Sequence, residues 1–347
     1  MTSSQPAALP DDNPAAPRSI GRKIGSVLLG MCVPVPRGKT TRSKAWWIGR
    51  RIALLYLIIL FIFAFFQRDL IYQPSRADAI DPRLSGLEPR RIEEVRVPTA
   101  DGLQLNGWLV RAFPTPRDAQ QNGSVHPAVI WFPGNAGHRG YRALELDQLS
   151  RLGADAYLVD YRGYGDNPGR PTEENLEADA RAVWKFVTTS QHVQPSQVVL
   201  LGESLGGGVA TRLASELSQA DTPPGGLILC ATYSGLADVA FYQYPWLPVK
   251  MILIDRFPSA EWIAHVTCPV LVLHCKADDT VPFESGKRLF DAAPAVSAGS
   301  VPKTFVVLPG ARHIPLFAAG EPYREAVKEF LDRMRPASEP VRSAVAH

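Results

Sequence analysis

A serine flanked by glycines is the strongest chemical signal in this 347-residue sequence. Residues 202–206 read Gly-Glu-Ser-Leu-Gly, with Ser204 at the centre, and they lie between the apolar run 198–201 and a helical stretch that starts near Gly207. A tight strand-to-helix turn strains the backbone at the serine and leaves room only for small residues two positions before and after it. Glycine occupies both positions, so we predict that Ser204 is a nucleophile on such a turn.

A serine hydroxyl needs a base to accept its proton, and that base needs a carboxylate to orient it. Asp278 follows the predicted strand Val270–His274, and His313 follows the predicted strand Phe305–Leu308. The carboxyl ends of parallel strands meet at one edge of a sheet, where ligands bind. We therefore predict a catalytic triad of Ser204, Asp278 and His313.

Other readings of the acid and the base remain open at this stage. Asp279 is a second candidate for the acid, and either aspartate could instead cap the helix that follows Pro282. The sequence contains seven histidines, and most loop histidines are simply solvated. His313 is favoured as the base because it follows the last predicted strand, whereas His274 ends a strand and is interpreted as structural.

A glycine-rich turn follows the first long apolar strand. Residues 132–137 read Phe-Pro-Gly-Asn-Ala-Gly, and such a turn can aim a backbone N–H at the oxyanion of an acyl-transfer reaction. We predict backbone donors at Asn135 and, directly after the nucleophile, at Leu205. The helix N-terminus behind Ser204 adds a partial positive charge. The alternative is a plain tight turn at residues 132–137.

Strands and helices alternate through the rest of the chain. Residues 91–97 and 103–110 alternate apolar and polar side chains around a turn, which predicts an antiparallel hairpin. Continuous apolar runs, typical of buried parallel strands, follow at 128–132, 156–160, 198–201, 227–231, 270–274 and 305–308. Helices are predicted at 174–188, 208–217, 284–292 and 322–334. This order predicts an α/β fold with a mostly parallel, doubly wound sheet.

The region 232–267 interrupts this alternation and contains Tyr242, Tyr244 and Trp246. We interpret it as a small lid over the site, with a plain surface excursion as the alternative. The predicted organisation is a basic, largely disordered N-terminal segment at 1–45, a membrane anchor helix at 46–68, a hydrolase domain at 69–336 and a C-terminal tail at 337–347.

The predicted anchor contains fifteen uncharged residues from Ile52 to Phe66, extended by apolar and aromatic flanks. This run is short for a bilayer, which needs about 20 apolar residues. A buried core helix, a cleaved signal peptide and a helix in the plane of the interface are the alternatives. The excess of Lys and Arg before the run predicts a cytoplasmic N-terminus. The catalytic domain would then face the periplasm, an organelle lumen or the exterior.

Composition excludes several classes of function. The formal net charge is +3, and much of the basic excess precedes residue 52, so nucleic acid is not an expected partner. The four cysteines form no CxxC pair and no zinc-site spacing, and neither a metal nor an organic cofactor is expected. Whether Cys230 and Cys275 pair stays open, as does the oligomeric state.

These motifs together resemble the α/β-hydrolase superfamily, in particular its membrane-anchored, short-lid serine hydrolases of the serine aminopeptidase-like clan. The resemblance covers residues 46–335 and is carried by the segments 70–74, 134–137, 160–165, 202–206 and 268–278. It implies the same triad and the same oxyanion donors, Asn135 and Leu205. Two positions depart from the family pattern: Pro133 stands where the family usually has His, and Cys275 where it usually has Gly.

The predicted activity is hydrolysis of a carboxylic ester or thioester through an acyl-enzyme, on a small-molecule or lipid acyl substrate. A serine peptidase acting on short peptides is the alternative, because related folds cleave amides with the same triad. A binding protein that kept the fold without catalysis is disfavoured, because all three triad residue types are present.

Overall fold

A long apolar helix begins the part of the chain that the computed structural model describes, which is residues 41–113, 126–310, 312–313 and 319–334. This helix, α1, covers Thr41–Ile71, and its Lys44–Ile71 portion is long and apolar enough to cross a membrane. At 1.5 Å per residue, these 28 residues extend about 42 Å, which exceeds the ~30 Å hydrocarbon core of a bilayer.

The helix is longer than the predicted anchor, 46–68, at both ends. It begins inside the segment 1–45, so residues 41–45 are helical rather than disordered; the remainder of that segment and the predicted tail 337–347 lie outside the described residues. The chain divides into two units between Ile62 and Phe63. In the first unit, the described residues belong to α1.

The second unit contains an eight-stranded sheet in the order β10-β9-β8-β7-β4-β6-β3-β2. Its strands are β2 (Ile92–Pro98), β3 (Gln104–Val110), β4 (Ala128–Phe132), β6 (Asp155–Val159), β7 (Val198–Glu203), β8 (Gly226–Cys230), β9 (Val270–Cys275) and β10 (Thr304–Leu308). The pairs β2–β3 and β3–β6 are antiparallel, and the other pairs are parallel. The predicted fold class is confirmed.

Helices cover both faces of this sheet. They are α2 (Ala143–Arg151), α3 (Glu173–Lys185), α4 (Leu205–Gln219), α8 (Phe283–Ala292) and α9 (Glu321–Arg333). Side chains of β4 alternate between the two cores: Ile130 and Phe132 pack with α3, α4 and α8, whereas Val129 and Trp131 pack with α2 and α9. The continuous apolar runs of the sequence therefore reflect strands buried on both faces. The predicted helices do not include α2.

Three short helices occupy the predicted lid, between β8 and β9. They are α5 (Leu236–Gln243), α6 (Val249–Ile252) and α7 (Ser259–Ile263). Two further short strands, β1 (Gln73–Pro74) and β5 (Ala136–Gly137), pair in parallel outside the main sheet. Short 3-10 turns cover Pro82–Leu84, Pro89–Arg91, Arg139–Arg142 and Pro195–Gln197, and a π-helical turn, Phe186–Ser190, extends α3.

Candidate active site

Ser204 lies at the turn between β7 and α4 in the backbone conformation that the sequence predicts. Its φ of 51° and ψ of −114° lie outside the regions that non-glycine residues ordinarily adopt. Two contacts hold this strained residue in place. Its N–H donates to the carbonyl of Cys230 at 2.9 Å, and its carbonyl accepts the hydroxyl of Thr232 at 2.8 Å. The side chain is thereby fixed at the carboxyl edge of the sheet.

The two motif glycines are required by close backbone packing. A Cβ at Gly206 would lie 2.0 Å from the carbonyl oxygen of Phe132, and a Cβ at Gly202 would lie 2.5 Å from that of Gly206. Neither neighbour is a flexible side chain, so neither can move aside cheaply. The sequence motif is therefore a steric requirement of this turn.

The structure brings together the side chains of Ser204, Asp278 and His313, which are far apart in sequence. His313 Nε2 is 3.1 Å from Ser204 Oγ, and His313 Nδ1 is 2.8 Å from Asp278 Oδ2. Both distances permit hydrogen bonds. In this arrangement, His313 can accept the serine proton at Nε2 while Asp278 accepts the hydrogen of Nδ1.

Asp278 is a buried carboxylate held by several donors. Its Oδ1 accepts the backbone N–H groups of Thr280 at 3.0 Å and Val281 at 2.8 Å. Burial raises the pKa of this carboxyl, but hydrogen bonds from His274 and His313, together with the backbone donors, outweigh burial and lower the pKa to about 2. Asp278 is consequently ionised at neutral pH and suited to orient an imidazolium.

Asp279, the alternative acid, has a different environment. Its side chain is 56 % exposed and lies 3.3 Å from the guanidinium of Arg312. His313 contacts Asp278. The geometry thus favours Asp278 as the partner of the base.

His274, which the sequence analysis interprets as structural, lies next to the candidate acid, a proximity that the sequence did not predict. Its side chain is completely buried at the end of β9, and its Nε2 donates to the carbonyl of Val281 at 3.0 Å. The same nitrogen lies 3.4 Å from Asp278 Oδ2. His274 and His313 therefore approach the same carboxylate oxygen of Asp278. The sequence signal that could have indicated this proximity is a histidine at the end of a strand, four positions before the candidate acid.

The predicted oxyanion donors, Asn135 and Leu205, both line the cavity next to Ser204. Leu205 is the first residue of α4, where backbone N–H groups have no partner within the helix. The Asn135 loop is fixed by polar contacts. Its carbonyl accepts from the N–H of Gln73 at 3.0 Å and the hydroxyl of Tyr164 at 2.9 Å, and its side-chain amide donates to the carbonyl of Ile71 at 2.8 Å.

A cavity of about 300 Å³ opens at Ser204 and is mainly apolar. Lid residues supply much of its wall: Leu236, Val239, Ala240, Gln243, Tyr244, Leu247, Val249, Ile252 and Leu253. Four more residues come from the end of α1, and the sequence did not predict their place here: Phe63, Gln67, Leu70 and Ile71. The cavity wall thus combines residues of the proposed lid with two residues of the predicted anchor 46–68, Phe63 and Gln67, and with Leu70 and Ile71 just after it.

Within the described ranges of the chain, no group of three His, Cys, Asp or Glu side chains is arranged to hold a metal ion. Cys230 and Cys275 are free, buried thiols, so the pairing that the sequence left open is not formed. Burial raises the pKa of Cys275 to about 11, which makes it a poor nucleophile at neutral pH.

Comparison with known proteins identifies the superfamily of the chain. A family model described as the alpha/beta hydrolase fold matches residues 127–259. An uncharacterized protein of Mycobacterium tuberculosis is 40 % identical over 275 residues, which cover 79 % of this chain and 90 % of that protein. The chain belongs to the α/β-hydrolase superfamily. The recognition made from the sequence motifs is confirmed at the level of the superfamily.

This hydrolase is also similar to lysophosphatidylserine lipases ABHD12. The zebrafish (Danio rerio) lipase is 37 % identical over 185 residues, covering 49 % of this chain and 48 % of the lipase; the Macaca fascicularis lipase is 34 % identical over 232 residues, covering 61 % and 58 %. Among solved structures, the Pyrococcus furiosus esterase Pf2001 matches with a TM-score of 0.57 at 19 % identity, covering 77 % of this chain and 99 % of the esterase. Its similarity supports the fold.

Proposed function

We propose that this hydrolase is a membrane-anchored serine esterase that cleaves carboxylic esters of lipids through an acyl-enzyme. The observation that carries the proposal is the continuous hydrogen-bonded series from Ser204 through His313 to Asp278, at 3.1 and 2.8 Å. The ester-cleaving class is further supported by the lipases among its relatives. Thioesters, whose acyl transfer needs the same groups, belong to the same proposed activity.

The proposed reaction begins with attack of Ser204 Oγ on the ester carbonyl carbon, while His313 Nε2 takes the hydroxyl proton. Negative charge develops on the carbonyl oxygen, where the backbone N–H groups of Asn135 and Leu205 would donate to it. Collapse of this intermediate releases the alcohol, which receives the proton from His313. Water then enters, gives a proton to His313 and attacks the acyl carbon; the second intermediate collapses as His313 returns that proton to Ser204 Oγ, which releases the carboxylic acid and regenerates the enzyme. Asp278 stays ionised and orients the imidazolium throughout.

Lipid esters are proposed as substrates for two reasons. The cavity at Ser204 is apolar, which suits an acyl chain better than a peptide with its polar backbone. The relatives named as lysophosphatidylserine lipases act on a lipid. The chain covers only 48 % and 58 % of the length of these two lipases, so the substrate class and not their individual substrate is carried over to this chain.

We further propose that the protein crosses the membrane once, through α1, with the N-terminus in the cytoplasm. The crossing is supported by the length and apolar character of Lys44–Ile71. The orientation is supported by the excess of Lys and Arg before the apolar run 52–66, compared with the three arginines Arg68, Arg76 and Arg83 after it. The hydrolase domain would face the opposite compartment. Lipid substrates would then reach the cavity from that leaflet.

A fluorophosphonate probe tests the nucleophile and the orientation together. The wild-type protein should be labelled, and Ser204→Ala should not, because the probe reacts with an activated serine. Ser215→Ala, which removes a buried serine of α4 remote from the base, is the matched control and should retain labelling. Labelling that persists in Ser204→Ala would refute the proposed nucleophile.

The same probe in a membrane-impermeant form reports on orientation. In sealed vesicles with the cytoplasmic face outward, we expect Ser204 to be labelled only after detergent opens the vesicles. Labelling of intact vesicles would place the domain on the cytoplasmic side and reverse the proposed orientation.

A further inference from the structure

The last turns of α1, residues 63–71, are called here the anchor-helix end. They belong to the same unit as the hydrolase domain. Phe63, Gln67, Leu70 and Ile71 line the cavity that opens at Ser204. A segment whose composition is that of a membrane anchor therefore forms part of the wall of the candidate active site.

A buried carboxylate ties the anchor-helix end to the lid. Asp255, which follows α6, is 3 % exposed, and its two oxygens accept from Nε and Nη2 of Arg68, each at 3.1 Å. The hydroxyl of Tyr72 donates to the same carboxylate at 2.9 Å. A buried carboxylate needs such partners, because an unpaired one would be strongly destabilising. These bonds fix the helix against the lid in one register.

Gln67 makes a second polar connection from inside the apolar wall. It is 7 % exposed; its amide nitrogen donates to the carbonyl of Ile252 at 3.2 Å, and its amide oxygen accepts the N–H of Ile254 at 2.7 Å. Phe63 adds edge-on ring contacts to Tyr244 and Trp246, with centroids 5.3 and 5.9 Å apart. Specific contacts along its length therefore hold this wall of the cavity in place.

The chemistry of the cavity indicates its occupant. Every described residue that lines it has an uncharged side chain, and most of them are aliphatic or aromatic. A charged head group placed here would lose its hydration without a countercharge, whereas an alkyl chain would gain by leaving water. The cavity begins at Ser204, where the carbonyl of an ester would react.

We propose that the anchor-helix end is a part of the substrate site, which binds the acyl chain of a lipid ester and limits the chain length that fits. This inference rests on the proposed esterase function, which it deepens by naming the acyl subsite. The anchor helix then has two roles: it holds the enzyme at the membrane, and it selects among acyl chains.

Chain-length preference tests this inference in the full-length protein in detergent. The test variant, Leu70→Trp, adds side-chain volume at a position that lines the cavity. The control variant, Phe66→Trp, enlarges an aromatic side chain on the same helix at a position that does not line the cavity. For Leu70→Trp we expect the ratio of kcat/KM on p-nitrophenyl dodecanoate to kcat/KM on p-nitrophenyl butyrate to fall at least tenfold, because each buried methylene of the longer chain contributes to binding. Phe66→Trp should keep the wild-type ratio.

An unchanged ratio in Leu70→Trp, or an equal change in Phe66→Trp, would overturn the inference. Binding provides an arm that does not need catalysis. In a Ser204→Ala background, a fluorescent twelve-carbon fatty acid should bind, and Leu70→Trp should weaken its binding at least tenfold. If the wild-type protein cleaved no ester, the proposed function would fail, but the binding measurement would still show whether the acyl subsite exists. Absence of fatty-acid binding, or equal binding with and without Leu70→Trp, would refute the subsite itself.

Discussion

The nucleophile turn and the wall formed by lid and anchor-helix end border the same cavity but are built on different principles. At the turn, Ser204 is held by backbone hydrogen bonds, and Gly206 packs so closely that a Cβ would lie 2.0 Å from a backbone oxygen. Along the wall, aliphatic and aromatic side chains predominate, and the lid also exposes large apolar residues such as Met251, which is 83 % exposed. At the nucleophile turn, catalysis therefore depends on positions that allow few residue types. Along the wall, the choice of substrate depends on the volume of the side chains that line the cavity.

This comparison predicts unequal tolerance to substitution. Small changes at the turn and triad should abolish activity or stability whatever the substrate. Changes of the wall should alter which substrate is used, as the Leu70→Trp experiment tests. The predictions below concern the first region, from the largest expected effect to the smallest.

The largest effect is expected for the acid. Asp278→Asn keeps the shape but removes the negative charge that stabilises the imidazolium, and a comparable change in a serine-protease triad lowers kcat about 10⁴-fold. We expect a loss of similar size for ester hydrolysis on short and long esters alike. Asp279→Asn, at the exposed neighbouring carboxylate, should change kcat by less than about threefold. The reverse ranking would assign the acid to Asp279.

The second effect concerns the packing of the turn. Gly206→Ala forces a Cβ against the carbonyl of Phe132, and overpacking of this kind costs about 3 kcal/mol or more. We expect Tm to fall by roughly 6–12 °C. In Gly299→Ala the new Cβ has only one neighbour, at 3.8 Å, and Tm should stay within about 2 °C of wild type. Equal thermal unfolding of the two variants, measured in the same detergent, would contradict the steric requirement.

The third and smallest effect concerns His274 as a positioning residue. His274→Asn removes the Nε2 donor beside Asp278, and we expect kcat to fall about 10- to 100-fold, as for a lost hydrogen bond to a charged group. His274→Gln can place an amide N–H near the lost Nε2 and should recover part of this activity. Equal losses in both variants would indicate that the site needs the ring volume of His274 rather than its donor.

A pH readout separates positioning of the acid from packing. The pKa of Asp278 in the folded state is about 2, below its ordinary 3.8, so the ionised form stabilises the fold above about pH 4, and this stability is lost as the pH falls through 2. Removing the His274 donor should raise the pKa of Asp278 in the folded state towards its ordinary value. Less stability would then be lost as the pH falls from 5 to 2. Urea unfolding of His274→Asn between pH 5 and 2 should accordingly show a shallower pH dependence than wild type. Parallel curves would argue that His274 acts through packing alone.

Much of the fold could be predicted because its signals are local. The strand β4 was predicted with its observed bounds, Ala128–Phe132, since a strand buried on both faces must be apolar throughout. The place of Ser204 followed from the steric demand of its turn. Asp278 and His313 followed from their positions after β9 and β10, because parallel strands end at a common edge.

The remainder depends on contacts that no local pattern encodes. Helix α2 was not predicted, although Ala143, Leu146 and Leu149 are buried at spacings of three, because the helix is short and rich in polar residues. The proximity of His274 to Asp278 depends on how the acid loop folds back after β9. The place of Leu70 in the cavity wall could not be predicted either, because an anchor sequence looks the same whether or not one face contacts the domain.

In the proposed membrane-anchored enzyme, the bond between Arg68 and Asp255 would make a form released by proteolysis different from the attached one. Proteolytic cleavage just beyond Ile71 would release the sheet and the triad intact but would leave Asp255, at 3 % exposure, with the Tyr72 hydroxyl and without its guanidinium. This buried charge without its cationic partner would destabilise the lid, to which Asp255 belongs. Under the proposed anchoring, a secreted form made in this way would therefore differ from the attached enzyme in its lid and in the wall of its cavity.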